Sequence, residues 1–292
     1  MDDGESHAAA HHAAVGEVID LGRLATGAVV DVDYGINLEV PPPGESIAID
    51  VIYTDYSSLT VVLDSDAQGE VTLSFPDHAA HGATASASGG SCLDACTDQS
   101  FKTTFSNKAR WRTRYDWRYN HSNSPKGRNR SIDAFKNGIN GIVRSRNDCG
   151  LSDQVSATAR YRGETTRRPA PVFSAGMLGC NSNRLADGVN TVGWGLLGPS
   201  LLAAACVRTS GDAIVEADMT YHRGRDWFTG DTVPASCANR HSLRAVSTHE
   251  AGHTFGLGHS GCAQTMAPNA DTCDVSIRTL GRGDVLGLRS LY

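Results

Sequence analysis

Residues 249–259 read HEAGHTFGLGH, and their spacing determines the chemistry of the C-terminal part of the chain. Histidines at i and i+4 stand one helical turn apart on the same face, so His249 and His253 can offer imidazoles to a single ion. Glu250 follows the first of them, beside the remaining coordination position, where a carboxylate takes a proton from water without itself ligating. A third histidine ten residues on could not reach that ion if the helix simply continued. The chain therefore has to turn back just after His253, and Gly256 is the residue that tolerates the positive φ such a turn needs. His259 then completes three nitrogen ligands and leaves the fourth position for water, the arrangement of a catalytic rather than a closed structural zinc. One Zn2+ is the cofactor this implies. The chain's own frequencies of His, Glu and Gly put a chance occurrence of the five fixed positions on the order of 10⁻⁵ to 10⁻⁴, so coincidence is not a serious rival.

Outward from the motif the pattern is mixed α and β. Helical spacing predicts helices over 131–146, where Ile132, Phe135, Ile139, Ile142 and Val143 recur behind a Ser/Asp start, and over 240–255 and 283–292. Strands are predicted at 155–160, 191–194, 201–207 and 213–221. The decapeptide RWRTRYDWRY, residues 110–119, puts Trp111, Tyr115, Trp117 and Tyr119 on one parity and Arg110, Arg112, Arg114 and Arg118 on the other, as in a strand with an aromatic core face. Basic residues among aromatics also suit a nucleic-acid surface, but strict alternation in a chain of net charge −6 favours the core strand.

Nearer the N-terminus, short apolar runs at 28–32, 47–53, 59–63 and 71–75 are cut by turn residues such as PPPG and QG. Their alternation predicts a small all-β, sandwich-like domain over 17–75. Residues 1–16 read as a mobile tail, where His7, His11 and His12 are solvated rather than a metal site. The stretch 76–91, rich in Ala, Ser, Gly and His, reads as a linker that continues to residue 100 through Cys92 and Cys96. The second domain then covers 101–292, and the fold class as a whole is α+β.

At 292 residues the length suits two domains, and the composition, 40% hydrophobic and 20% charged, is that of a folded chain. Nothing in it calls for nucleic acid. No segment approaches the roughly 18 consecutive apolar residues of a membrane span, and the polar start shows no export leader. The eight cysteines nevertheless argue for an oxidising compartment, so a secreted protein lacking its leader is expected.

The extended motif resembles that of the metzincins, and Ser260 after the last histidine resembles the matrixin branch. Met266 in QTMAP looks like the methionine of that family's Met-turn, which packs beneath the metal without binding it. The closing GRGDVLGLRSLY resembles the matrixins' terminal helix, in which the residue matching Asp284 braces the Met-turn. The resemblance covers about 111–292 and implies a five-stranded mixed sheet with an active-site helix and a C-terminal helix. It puts 111–119 in the place of the first strand and 201–207 in that of the upper-rim edge strand, with Leu201, Leu202, Ala203 and Ala204 pairing with extended substrate. Trp227 matches the tryptophan beyond the next strand. Met266 to residue 269, Pro268 included, would wall the pocket for the side chain after the cut bond. The resemblance is to the bacterial type: the vertebrate PRCG latency motif is missing. Ala204 and Ala217 stand where vertebrate relatives hold a second, structural zinc, so that site is expected to be absent.

Cys92 and Cys96 could cap the zinc through a thiolate but read better as a small disulfide loop, leaving 149 with 180, 206 with 237 and 262 with 273 as one pairing of the remaining six. No acidic loop has the spacing of a recognisable calcium site, which leaves Ca2+ open. The function expected is a secreted zinc-dependent endopeptidase with Glu250 as general base, acting on protein or peptide bound extended. A zinc-binding adhesion module and an amidase of cell-wall peptides are the alternatives. The N-terminal β region fits an inhibitory, a targeting or a scaffolding role, and the oligomeric state is not set by the sequence.

Overall fold

The computed structural model describes residues 7–10, 16–32, 34–54, 58–79, 93–261, 263–268 and 270–292. Seven strands come first: β1 (His7–Ala10), β2 (Val18–Arg23), β3 (Val29–Val32), β4 (Ile36–Glu39), β5 (Glu45–Tyr53), β6 (Ser58–Ser65) and β7 (Glu70–Ala79). Then follow β8 (Tyr115–Asn120), α1 (Arg128–Val143), β9 (Ala159–Glu164), β10 (Pro171–Ser174), β11 (Met177–Cys180), a single turn α2 (Ser182–Leu185), β12 (Asn190–Gly195), β13 (Leu201–Ser210), β14 (Ala213–His222), α3 (Leu243–Thr254) and α4 (Arg282–Leu291). No helix among these is long and apolar enough to cross a membrane.

The main sheet runs β9-β8-β12-β14-β13-β5-β6-β7-β2. Its first five strands are parallel except for β13, which lies antiparallel to β14. The N-terminal strands continue this same sheet, because β5 pairs antiparallel with the free side of β13 from Tyr53↔Leu201 to Glu45↔Ser210. A second sheet, β1-β3-β4-β11-β10, combines N-terminal strands with the 171–180 hairpin. Apolar side chains from both chain halves fill the space between the layers, among them Ile49, Val51, Leu63 and Leu73 with Leu178, Ala204 and Cys206.

Residues 201–207 do form a strand, but not an edge: β13 has β14 on one side and β5 on the other. The reason is chemical. Residues 47–53, IAIDVIY, form an apolar strand buried on both faces, and β13 offers such a strand a full row of backbone donors and acceptors. The aromatic strand also differs from its prediction. Arg110–Trp111 pairs with β14 whereas β8 pairs with β12, so the chain breaks at 112–114 to change partners, yet Trp111, Tyr115, Trp117 and Tyr119 all stay buried. The strand predicted at 155–160 lies at β9, four residues further on. His7–Ala10, within the stretch read as a tail, pairs parallel with Val29–Val32, while 1–6, 11–15 and 80–92 lie outside the described residues.

Three disulfides join Cys96 to Cys149, Cys180 to Cys206 and Cys237 to Cys273. The expected loop of Cys92 with Cys96 and the pairs 149–180, 206–237 and 262–273 are therefore not formed. Sequence spacing carries no record of the strand stacking that brings Cys180 of β11 and Cys206 of β13 within 5.8 Å at Cα. Cys92 and Cys262 lie outside the described residues.

Two features fix α3. It crosses α1 at Gly138, where a Cβ would come 2.5 Å from Ser247 Oγ, so only glycine permits the approach. Its start is set by Ser242, whose hydroxyl accepts from the Ala245 N–H at 3.3 Å, after His241–Ser242 has paired with Trp227–Phe228. His241 is buried there. Desolvation, then the charge of Arg225, pushes its pKa from 6.5 down to about 4. Protonation thus taxes the folded state alone: stability intact above pH 6.5 is lost as pH falls from 6.5 toward about 4. Thermal melts across that window should show a larger fall for the wild type than for His241→Gln, and parallel curves would contradict the assignment.

Candidate metal centre

His249 and His253 project from α3, and the helix ends at Phe255. Gly256 then takes φ of 90°, and a Cβ there would lie 2.8 Å from the Ala109 carbonyl oxygen, so the turn requires glycine twice over. The reversal returns His259 to the same point. One nitrogen from each of the three histidines lies within 4.8 Å of the others, and the Nε2 atoms of His249 and His253 stand 3.1 Å apart.

The other ring nitrogens are engaged. His249 Nδ1 donates to the Thr265 carbonyl and His253 Nδ1 to the Leu257 carbonyl, each at 2.8 Å. Such bonds fix the tautomer with the lone pair on Nε2 and hold the ring in orientation. All three imidazoles are buried at the point where those nitrogens meet. Three neutral nitrogens at this separation fit a tetrahedral zinc with an open fourth position.

Glu250 is buried beside them, and neither of its carboxylate oxygens has a hydrogen-bond partner among the described residues. Burial, then the charge of Asp50, pushes its carboxyl well above the ordinary carboxylate range. A cation at the histidines would oppose both effects.

Met266 forms the floor. Its sulfur sits under α3 at Gly252, where a Cβ would be only 2.1 Å from Sδ. Asp284, at the start of α4, holds this turn by accepting from the backbone N–H groups of Thr265 (2.7 Å) and Met266 (3.3 Å) and from the Ser260 hydroxyl. Since Thr265 also supplies the carbonyl under His249, Asp284 positions a metal ligand through one residue. Burial raises its pKa to about 6 despite those donors.

Residues 193–292 match the Matrixin family model. The C-terminal third of the chain is thus matrixin-like. With the converging histidines, this supports a zinc metallopeptidase of the metzincin kind. No curated protein matches the chain. The matrixin segment begins at β12 and takes in β13, β14, α3, Met266 and α4, so the residues that build the centre fall inside it, except those contributed by the N-terminal strands.

Those exceptions escaped the sequence reading. Asp50 of β5 is fully buried with Oδ1 3.3 Å from His253 Nδ1, and Thr60 of β6 donates to that oxygen at 2.6 Å while lying 3.4 Å from His259 Nδ1. The available signal was a single carboxylate in the middle of the apolar run IAIDVIY. Of the expected substrate contacts, Leu201, Leu202, Ala203 and Ala204 are buried in β13, opposite Val51 to Tyr53 of β5. Pro268 is partly exposed just beyond the Met266 turn, and residue 269 lies outside the described residues.

The contact between Gly252 and Met266 yields a sharp test. Gly252→Ala should lower stability by about 1–3 kcal/mol through overpacking and weaken zinc retention, because the methionine must leave its seat beneath the ligands. Denaturant unfolding together with zinc competition titration would measure both, and unchanged values would remove Met266 from the support of the site.

Proposed function

We propose that the protein is a secreted zinc-dependent endopeptidase, with His249, His253 and His259 as metal ligands and Glu250 as general base. The observation that carries this is the convergence of three buried imidazoles beside a buried carboxylate, on the segment that matches the Matrixin model. A bound zinc would polarise the scissile carbonyl and make water acidic enough to attack near neutral pH. Glu250 accepts the proton of the attacking water and passes it to the leaving amine nitrogen, so the same carboxylate serves as base and then as acid. Its burial beside the histidines keeps bulk water away from the point where the proton is exchanged.

Residues 101–292 make up the peptidase unit in this reading, and 17–75 the N-terminal β unit. Substrate would lie extended along the side of Leu201, Leu202, Ala203 and Ala204 that β5 occupies in this structure, with Pro268 in the wall of the next subsite. Three disulfides are compatible with an extracellular protein.

The covered strand favours one second reading, in which the metal centre is permanently closed and the protein serves as a binding module. Stoichiometric zinc with no turnover of any peptide, in any form of the protein, would select it. The main test compares wild type and Glu250→Gln on a quenched peptide library, with cut positions read by mass spectrometry. Cleavage should be abolished by a chelator and restored by zinc, and the variant should keep its zinc while losing at least about two orders of magnitude in rate. A variant retaining most of the wild-type rate would remove Glu250 from this role.

A further inference from the structure

We infer that the outer face of the β8–β9 end of the main sheet, with Arg114, Arg118, Arg160 and Arg162, is a docking surface for a sulfated polysaccharide. This face lies on the far side of the sheet from α3, so the inference stands apart from whatever reaction the metal centre performs.

The charge of the chain is divided unevenly. Residues 108–168 hold fifteen Lys or Arg against five Asp or Glu, whereas the other residues hold eleven against twenty-seven. A chain of net charge −6 thus contains a segment of +10. Strand alternation then sorts part of that charge onto one side. Tyr115, Trp117 and Tyr119 of β8, with Ala159 and Tyr161 of β9, pack into the cluster that contains α1 and α3. Arg114, Asp116 and Arg118 therefore point to the opposite face, as do Arg160 and Arg162 of β9, the last strand of the sheet. Three of these four arginines are exposed and Arg118 is half-buried. Arg167 and Arg168, also exposed, follow where Asn120 at the end of β8 donates to the Arg167 carbonyl at 2.6 Å.

Packing does not account for these cations. One or two charges suffice to keep an edge strand from pairing with another chain, and like charges on neighbouring strands repel. Asp116 alone serves both Arg114, at 2.6 Å, and Arg162, at 3.7 Å. Glu164 is engaged by Arg128 and His121, and Asp187 by Arg167. Arg118 donates only to the Arg162 and Glu164 carbonyls, and among the described residues neither it, Arg160 nor Arg168 has an ion pair. The face is held against its own repulsion, which a bound polyanion relieves.

The chemistry of the face selects the kind of polyanion. Every cation on it is an arginine, whose planar, weakly hydrated guanidinium engages an oxyanion two oxygens at a time, as a sulfate group allows. Trp111, Tyr115, Trp117 and Tyr119 are turned into the core, so no aromatic platform is left on which bases could stack. No helix projects from this face to enter a duplex groove. The arginines recur about 6–7 Å apart along a strand and about 4.8 Å across strands, a density that suits a polymer with ionised groups on successive sugars.

The test uses the full chain as wild type, Arg160→Gln/Arg162→Gln, and the control Arg144→Gln/Arg146→Gln, which removes the same charge beyond the end of α1. Binding of heparin is measured by titration calorimetry across a salt series, with desulfated heparin and duplex DNA as competitors and thermal melts alongside. The Arg160/Arg162 variant should bind heparin roughly tenfold or more weakly, with the slope of log affinity against log salt reduced by about one per arginine, while the control stays within about twofold of wild type. Its melting temperature should equal or exceed that of the wild type, since repulsion is removed. The single Arg160→Gln, which breaks no ion pair, should shift affinity in the same direction by a smaller factor. Equal losses in both double variants, or no heparin binding by wild type at about 0.1 M salt, would overturn the proposal. Duplex DNA or desulfated heparin competing as well as heparin would overturn the choice of a sulfated partner. Glu250→Gln should bind heparin as wild type does, which keeps this outcome separate from the peptidase reading.

Discussion

Three imidazoles must meet at one point although the helix that carries two of them cannot carry the third. The rest of the C-terminal half is arranged around that constraint. Gly256 reverses the chain in a conformation that a side chain would resist both by φ and by contact with Ala109. Gly252, between the two helical ligands, leaves room for Met266, and Asp284 ties the Met266 turn to the start of α4 while Thr265 of that turn orients His249. The ligands are thus held by contacts to their own helix, to the turn below and to the terminal helix. None of these contacts requires the metal.

How much of this was legible in the sequence follows from the distance over which each feature is determined. The ligand set, Glu250 and the reversal at Gly256 are encoded within eleven residues, and local spacing is enough to read them. The aromatic face of 110–119 was equally plain, since Trp111, Tyr115, Trp117 and Tyr119 are buried as their parity requires, although a change of pairing partner breaks the strand. Disulfide partners, 26 to 53 positions apart, and the β5–β13 pairing, which joins Tyr53 to Leu201 and Glu45 to Ser210, depend instead on which layers stack, and local spacing leaves no periodic trace of it. The second sheet is the extreme case, built from strands of both halves.

Asp50 is the instructive miss. Within IAIDVIY a carboxylate has no local role: it caps nothing and turns nothing, and burying it in an all-apolar strand costs several kcal/mol unless something compensates. Its partners, Thr60 and His253, lie on other elements. A charge that local structure cannot account for, in a strand otherwise suited to a core, marks chemistry elsewhere in the molecule. Recognising that mark would have linked the N-terminal region to the site without naming the partner.

The absence of any cysteine before position 92 also bears on how this contact depends on concentration. While the chain is continuous, β5 meets β13 at an effective concentration fixed by the connection between them, so no dilution weakens the contact and every molecule behaves alike. Once the connection is cut, the same hydrogen bonds and the same carboxylate belong to a bimolecular equilibrium. Dilution into a large volume then separates the two strands with no change in any residue, whereas a crowded or confined space keeps them paired.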